Sequence, residues 1–138
     1  MTKEEKQLLL KDLCARSYYQ PFVQLNPGAY NKPEKCWICG ISGEDIYLNV
    51  DSDPFSLHDF NILPYLRPMS SMTEEEKKVV CSMNMISDTE LNDRLNYQRM
   101  YLQNYTIETF DYFNEHHLDY RGLIPMGLAL EAAEGMYE

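Results

Sequence analysis

The sequence predicts an α+β fold in a single domain covering residues 1–138, and three observations support this prediction. Two Thr-x-x-Glu boxes, opening at Thr2 and Thr73, are start signals of helices. Short apolar runs separated by turns with Gly or Pro fill residues 18–63, as strands do. No internal repeat or low-complexity tract divides the chain. We therefore expect a small antiparallel sheet or partly open barrel packed with about three helices.

The first helix is predicted over residues 3–16. The Thr2 hydroxyl can accept the backbone N–H of Glu5, while the Glu5 carboxylate reaches back to the N-terminal side of the helix. An apolar stripe at helical spacing follows and is expected to face the core. It consists of Leu9, Leu10, Leu13 and Cys14, with Leu8 at its margin.

The strands are expected between residues 18 and 63. The stretch "YYQPFVQL" is aromatic and β-branched but contains Pro21, which suits an edge strand or a bend. The stretch "CWICGISGEDIYLNV" has two apolar runs around a Gly-Ile-Ser-Gly turn and predicts a β-hairpin. The run "LHDFNILPYLRPMSSM" is cut by Pro64 and Pro68, so only a brief strand or a turn of helix is expected there.

Two more helices are predicted in the second half of the chain. One covers residues 73–85 and opens at the second capping box. The other covers residues 106–117, with Thr106 as its cap and with Ile107, Phe110 and Phe113 on one face. Residues 86–104 are ambiguous, and "GLALEA" near residue 130 is either a last strand or a short helix.

The tetrapeptide Cys36-Trp37-Ile38-Cys39 has the spacing of a dithiol redox site, but its context is wrong for one. A turn follows it, whereas a redox site needs a helix whose N-terminus lowers the thiol pKa. On an extended backbone Cys36 and Cys39 point to opposite faces. A zinc site would need a second close pair of ligands, which the spacing lacks. No metal or other cofactor is predicted.

The net charge is −10, and the acidic residues concentrate in the middle of the chain. Between residues 36 and 76 the basic side chain is Arg67. One interpretation is that these acidic residues only keep the folded protein soluble. The other is that they present an anionic face to a basic protein partner. The chain also holds 11 tyrosines, which either pack at the core edge or form a contact surface. The predicted binding residues are Glu44, Asp45, Asp51, Asp53, Asp59 and Tyr120.

The densest group of chemically active side chains is His116, His117, Asp119 and Arg121. Asp119 could orient an imidazole, and Arg121 could hold a carboxylate or phosphate. These are roles that side chains take in general acid–base catalysis. The competing interpretation is structural: histidines near a helix end cap carbonyls, and an Asp–Arg pair pins a turn. No nucleophile-elbow, phosphate-loop or dinucleotide motif supports an enzyme.

Nucleic acid and membrane are not expected as partners. An acidic surface repels phosphates, and binding would require Lys3, Lys6, Lys11, Arg16, Lys32 and Lys35 to converge on one face. No apolar run approaches the roughly 18 residues of a membrane span, and no leader pattern precedes the first helix. These features predict a cytoplasmic protein.

Three stretches, "LLLKDLCAR" (8–16), "YLRPMSSMTEEE" (65–76) and "HHLDYRGLIPMGLALEAAEGMY" (116–137), resemble small proteins of Bacteroidales genomes and their phages or mobile elements. No activity is attached to that group, so the resemblance carries over no functional residue. It implies a bacterial or phage setting.

The expected function is a non-enzymatic protein–protein interaction module, such as a phage or mobile-element accessory factor, acting through an acidic, tyrosine-rich surface. Self-association stays open. The alternative is a small hydrolase or metal-dependent enzyme that uses the His116–Arg121 cluster.

Overall fold

A computed structural model describes residues 1–25, 36–96 and 105–137. Within them the chain has an α+β fold, as predicted, in which helices pack around two three-stranded sheets. The helices are α1 (Lys3–Arg16), α2 (Glu74–Asn84), α3 (Asp88–Asn96) and α4 (Ile107–Glu115), with 3₁₀ turns at Ser17–Tyr19 and Met69–Ser71. The strands are β1 (Val23–Leu25), β2 (Ile38–Ser42), β3 (Asp45–Leu48), β4 (Phe55–Ser56), β5 (Ile62–Leu66) and β6 (Leu130–Glu131).

Both capping boxes form as the sequence predicts. The Glu5 backbone N–H donates to the Thr2 hydroxyl at 3.1 Å, and the Thr2 N–H donates to the Glu5 carboxylate at 3.2 Å. The corresponding distances at Thr73 and Glu76 are 3.2 and 2.9 Å. Each box satisfies two backbone donors that the first turn would otherwise leave without partners, so α1 and α2 begin where expected.

The buried stripe of α1 differs from the predicted one at Cys14, which is exposed. Leu9 and Leu13 are fully buried, and Asp12 and Arg16 complete the stripe at helical spacing. The helix turns these two charged residues inward because they find partners in the C-terminal part of the chain. Burial of paired charges therefore overrides the apolar pattern.

The predicted hairpin forms, with a turn shorter than expected. β2 and β3 pair antiparallel up to Ser42 and Asp45, so Gly43 and Glu44 alone make the turn. Gly43 has φ of +63°, a left-handed conformation that costs glycine little. β4 pairs with the other edge of β3. The first sheet thus has the order β2-β3-β4.

The second sheet has the order β1-β5-β6, and it includes a parallel pair that the sequence did not predict. β1 runs antiparallel to β5, whereas β6 runs parallel to it through Tyr65 and Leu66. "GLALEA" therefore contributes a strand, the first of its two alternatives. An isolated bridge between Phe22 and Trp37 connects β1 to the start of β2, so the six strands form one interrupted row.

Pro64 is accommodated in the middle of β5, which is a full strand and not the brief one expected. Its neighbour on β1 is Val23, whose N–H donates away from β5 to the Cys36 carbonyl at 2.8 Å. β6 begins its pairing only at Tyr65. The N–H that proline lacks is therefore not needed by either neighbouring strand.

Among the described residues the apolar interior consists of two clusters. The first lies between α1, the strands and the segment 123–129, and includes Leu9, Ile38 and Ile62. The second lies among α2, α3, α4 and the residues beside them, and includes Val80, Leu91, Phe113 and Tyr120.

The helices of the second cluster correct one prediction. Thr106 caps α4, accepting the Thr109 N–H at 3.2 Å, as expected. Ile107, predicted to share one helix face with Phe110 and Phe113, is 81% exposed, whereas Phe113 is fully buried. α3 resolves part of the ambiguous stretch 86–104, and residues 97–104 lie outside the described part of the chain.

Candidate functional site

The four predicted catalytic residues lie in sequence around the end of α4, but their side chains take separate partners. His116 points toward the N-terminus of α2, where its Nδ1 lies 3.6 Å from the Glu76 carboxylate. Asp119 lines a cavity of about 740 Å³ whose described lining includes neither histidine. The residues thus do not form one acid–base constellation.

Glu76 is the centre of a cluster that the sequence did not reveal. Arg67 donates to both of its carboxylate oxygens, at 2.7 and 2.9 Å. These hydrogen bonds, together with the Thr73 backbone, outweigh burial and lower the pKa of Glu76 to about 2. The cluster ties the end of β5 to α2 and to the His116 carbonyl, which accepts from Arg67 at 3.5 Å. Because the Arg67 guanidinium already donates to both Glu76 oxygens, we interpret this bidentate pair as a structural contact.

His117 is buried, with 8% of its surface exposed, and its backbone is left-handed at φ of +59°. Its ring stacks on Tyr137 with 3.6 Å between ring centroids and 13° between planes. Burial, and then the positive charges of Arg16, His116 and Arg67, lower its pKa to about 4. Within the described residues its Nδ1 has no hydrogen-bond partner. This imidazole is neutral at pH 7, and no carboxylate among residues 1–25, 36–96 and 105–137 forms an ion pair with it.

Tyr137 fixes the C-terminal segment to the sheets through its hydroxyl. The hydroxyl accepts the Phe22 backbone N–H at 3.0 Å and donates to the Tyr65 carbonyl at 2.6 Å. Its ring lies between His117 and Phe22, whose centroid is 5.2 Å away. Burial is the main cause that raises the pKa of Tyr137 to about 12. Stacking on His117 is therefore part of an anchor for this segment.

Asp119 has a structural role in the turn after α4. Its two carboxylate oxygens accept the backbone N–H groups of Leu123 and Ile124 at 2.7 and 2.9 Å. Burial raises its pKa, and the two backbone donors oppose this. Asp119 thus holds the turn through its backbone donors, whereas Arg121, which the structural interpretation paired with it, forms its ion pair with Asp12.

Arg121 joins a buried ion pair that the sequence did not indicate. Arg16 Nε donates to Asp12 at 2.8 Å, both side chains are fully buried, and Arg121 Nε donates to the other Asp12 oxygen at 3.2 Å. Arg16 also donates to the Leu118 carbonyl at 2.8 Å. The i, i+4 spacing of Asp12 and Arg16 was the available signal, but such pairs are usually solvated.

Tyr120 does not belong to an exposed binding surface, which corrects its prediction as a contact residue. It is 3% exposed, and the guanidinium carbons of Arg16 and Arg121 each lie 5.1 Å from its ring centroid. Cation–π contacts of this kind stabilise a desolvated arginine. Tyr105 is buried as well, and Tyr97 and Tyr101 lie outside the described residues.

The five predicted acidic binding residues are exposed, and all lie on or beside the β2-β3-β4 sheet. Glu44 and Asp45 are at the β2–β3 turn, Asp51 and Asp53 are in the β3–β4 connection, and Asp59 follows β4. β3 alternates between faces: Ile46 and Leu48 are buried, whereas Asp45 and Tyr47 face outward. Tyr47 is 37% exposed and lies opposite Gly40 on β2. Acidic groups therefore flank an outward tyrosine at both ends of β3.

The described basic residues of the N-terminal quarter do not all lie on one open face. Arg16 is buried in the ion pair. Lys3 and Lys6 line a groove of about 420 Å³ together with Glu44 and His58. Lys32 and Lys35 lie outside the described residues. The described part of the chain thus offers no continuous basic surface for phosphates.

The paired thiols lie on an extended backbone, as predicted. Cys36 is buried and burial raises its pKa to about 11, whereas Cys39 is exposed on β2. All four cysteines are free. Over the described ranges, no group of three or more histidine, cysteine or acidic side chains is placed to hold a metal ion.

The fold and these contacts define an α+β protein with an acidic sheet face. The chain matches no family model, no curated protein and no solved structure. None of the described helices is both long and apolar enough to span a bilayer.

Proposed function

We propose that this protein is a non-enzymatic interaction module whose β2-β3-β4 sheet binds a basic protein partner. The observation that carries the proposal is the outward face of β3, where Tyr47 stands beside Asp45 while the opposite face packs in the core. A tyrosine supplies contact area at low entropic cost, and the flanking carboxylates supply long-range attraction.

The positions of the predicted catalytic residues favour this module over the hydrolase alternative. Asp119 and Arg121 are engaged by the backbone and by Asp12, and His117 lies in an aromatic stack. Each of these contacts holds one part of the fold to another. On the basis of the sequence resemblance, the proposal includes that this module is an accessory factor of a phage or mobile element.

The proposal is tested by photo-crosslinking from position 47. The chain carries a photoreactive phenylalanine analogue in place of Tyr47 and is irradiated in a lysate of the cells that naturally make it. We expect a crosslinked protein with an excess of Lys and Arg. Because Coulomb attraction across solvent is screened, its yield should fall steeply between about 0.05 M and about 0.5 M salt.

A matched pair of triple variants assigns the effect to this sheet. Glu44→Gln, Asp45→Asn and Asp53→Asn together should lower the crosslink about tenfold. The control, Asp93→Asn, Glu115→Gln and Glu134→Gln, removes the same charge from exposed positions elsewhere and should leave the yield unchanged. Equal loss in both triples, or a yield independent of salt, contradicts the proposal.

A further inference from the structure

We infer that Met85 and Ile107 form a second docking point, which takes an apolar side chain from a basic segment of another protein. Met85 follows α2 and is 94% exposed, and Ile107 opens α4 and is 81% exposed. We call this pair the Met85–Ile107 corner. It lies at the helical end of the molecule and is distinct from the β2-β3-β4 sheet.

A hydrogen-bonded side chain holds the corner in place. Asn84 Oδ1 accepts the Thr106 backbone N–H at 3.0 Å, and Asn84 Nδ2 donates to the Thr109 hydroxyl and to the Val80 carbonyl, each at 2.8 Å. Met85 and Ile107 are each one residue away from the bond between Asn84 and Thr106. The two exposed side chains are therefore presented by a preorganised backbone, which lowers the entropic cost of binding.

The backbone at Met85 gives a second, independent observation. Met85 is the C-terminal cap of α2, with φ of +54° and ψ of +46°. Glycine or asparagine is favoured in this left-handed conformation, and a methionine there is strained. Because the Met85 side chain is almost fully exposed, its burial does little to offset this strain. Strained residues of this kind cluster at ligand-binding sites, so a role in recognition accounts for the methionine.

The charges around the corner indicate the chemistry of the partner. Along the sequence, the charged residues within three positions of Met85 or Ile107 are Asp88 and Glu108, both acidic and exposed. Methionine is flexible and polarizable and adapts to differently shaped apolar groups. The complementary ligand is a segment with an apolar anchor between lysines or arginines. The positive charge of such a segment also complements the protein's net charge of −10.

A stability measurement separates docking from folding. Met85→Gly relieves the left-handed strain, so its denaturation midpoint should be no lower than that of the wild type. Lys78→Gly places the same residue in the interior of α2 and should lower the midpoint. A lower midpoint for Met85→Gly would show that Met85 serves the fold and would overturn the inference.

The binding test selects ligands for the full chain from a displayed library of random peptides. We expect the selected peptides to pair an apolar residue with Lys or Arg. Met85→Gly and Ile107→Ser should each weaken their binding about tenfold or more. Tyr18→Ser is the matched control, because Tyr18 is 86% exposed elsewhere on the molecule, and it should leave binding unchanged.

Three further outcomes overturn the inference. The first is that the selected peptides bind independently of Met85 and Ile107, and the second is that the peptides that depend on them carry no positive charge. The third is a dimer of the chain in sedimentation that Met85→Gly dissociates, in which case the occupant is a second copy. The triple variant of Glu44, Asp45 and Asp53 should leave peptide binding unchanged, so this inference and the proposed function can fail separately.

Discussion

His117 combines a left-handed backbone, deep burial and a stacked ring in one residue. None of these properties is visible in the sequence, where the residue belongs to a pair of adjacent histidines at the end of a predicted helix. The helix ends at Glu115, and the left-handed turn at His117 directs its ring against Tyr137. The adjacent residues His116 and His117 therefore lie in different environments, the first near Glu76 and the second against Tyr137.

Burial of His117 predicts a loss of stability in mild acid. Its pKa is lowered to about 4 in the fold, whereas a histidine of the unfolded chain titrates near about 6.5. The unfolded chain therefore binds more protons between these values, and the free energy of unfolding should fall as the pH drops through this window, by about 3 kcal/mol at most. Urea denaturation at a series of pH values measures the slope.

Two variants identify the residue responsible for that slope. His117→Phe keeps an aromatic ring beside Tyr137 but cannot titrate, so it should flatten the curve between pH about 6.5 and about 4. His58→Phe changes an exposed histidine and should leave the slope as it is. Glu76 titrates lower, because its pKa is lowered to about 2. An unchanged slope in His117→Phe would refute the assignment.

At the scale of elements, local signals predicted where helices begin and long-range contacts decided the rest. The boxes at Thr2 and Thr73 act within one turn, so the sequence located α1 and α2. β6 pairs with β5 across most of the second half of the chain, and nothing local in "GLALEA" indicates a parallel partner. The acidic residues of the site were predictable as exposed, because carboxylates are rarely fully buried.

The polar and aromatic residues that the structure buries against expectation share one physical cause. Asp12 and Arg16 read as polar positions on α1, and Tyr120 reads as a surface aromatic. Together with Arg121 they contact one another inside the protein, through ion pairs and cation–π contacts. A single residue's polarity predicts exposure only when no buried partner is available, and the partner here comes from the opposite end of the chain.

Asp12 is predicted to be the critical residue in the attachment of α1. Asp12→Ala leaves Arg16 as a buried charge without its carboxylate, so it should lower the free energy of unfolding by about 3–5 kcal/mol. Adding Arg16→Met removes that charge and should restore part of the loss. Chemical denaturation of the single and double variants measures both effects.

Lys11→Ala is the control for that experiment. Lys11 is the exposed neighbour of Asp12 on α1, and its loss should change stability by about 0.5 kcal/mol or less. If Asp12→Ala is equally mild, the buried pair contributes little and α1 is held by its apolar side chains.

At the scale of the whole molecule, the two apolar clusters meet along a polar seam. The seam contains the Asp12–Arg16 pair and a parallel bridge between Arg67 and Leu118, in which the Arg67 N–H donates to the His117 carbonyl at 2.7 Å. Hydrogen bonds and buried charges with fixed geometry specify how the strand-rich and helix-rich parts are aligned.

The net charge of −10 predicts that moderate salt stabilises the fold. Repulsion among carboxylates spread over the surface opposes compaction, and salt screens it over a Debye length of about 10 Å at 0.1 M. The buried pair of Asp12 and Arg16 is screened much less. We expect the free energy of unfolding to rise by about 1 kcal/mol between about 0.01 M and about 0.2 M NaCl. A fall over this range would show that exposed ion pairs dominate.

The interrupted row of strands ends, on both sides, in a strand of two residues, β4 and β6. β4 follows Pro54, and the Ser56 carbonyl accepts the N–H groups of Asp59 and Phe60 in the turn that follows. A strand edge this short gives an incoming chain little backbone to template on, which is how natural sheets resist fibril growth. In the part of the chain described, the outermost strands are therefore too short to favour edge-to-edge polymerisation of this tyrosine-rich protein at high concentration.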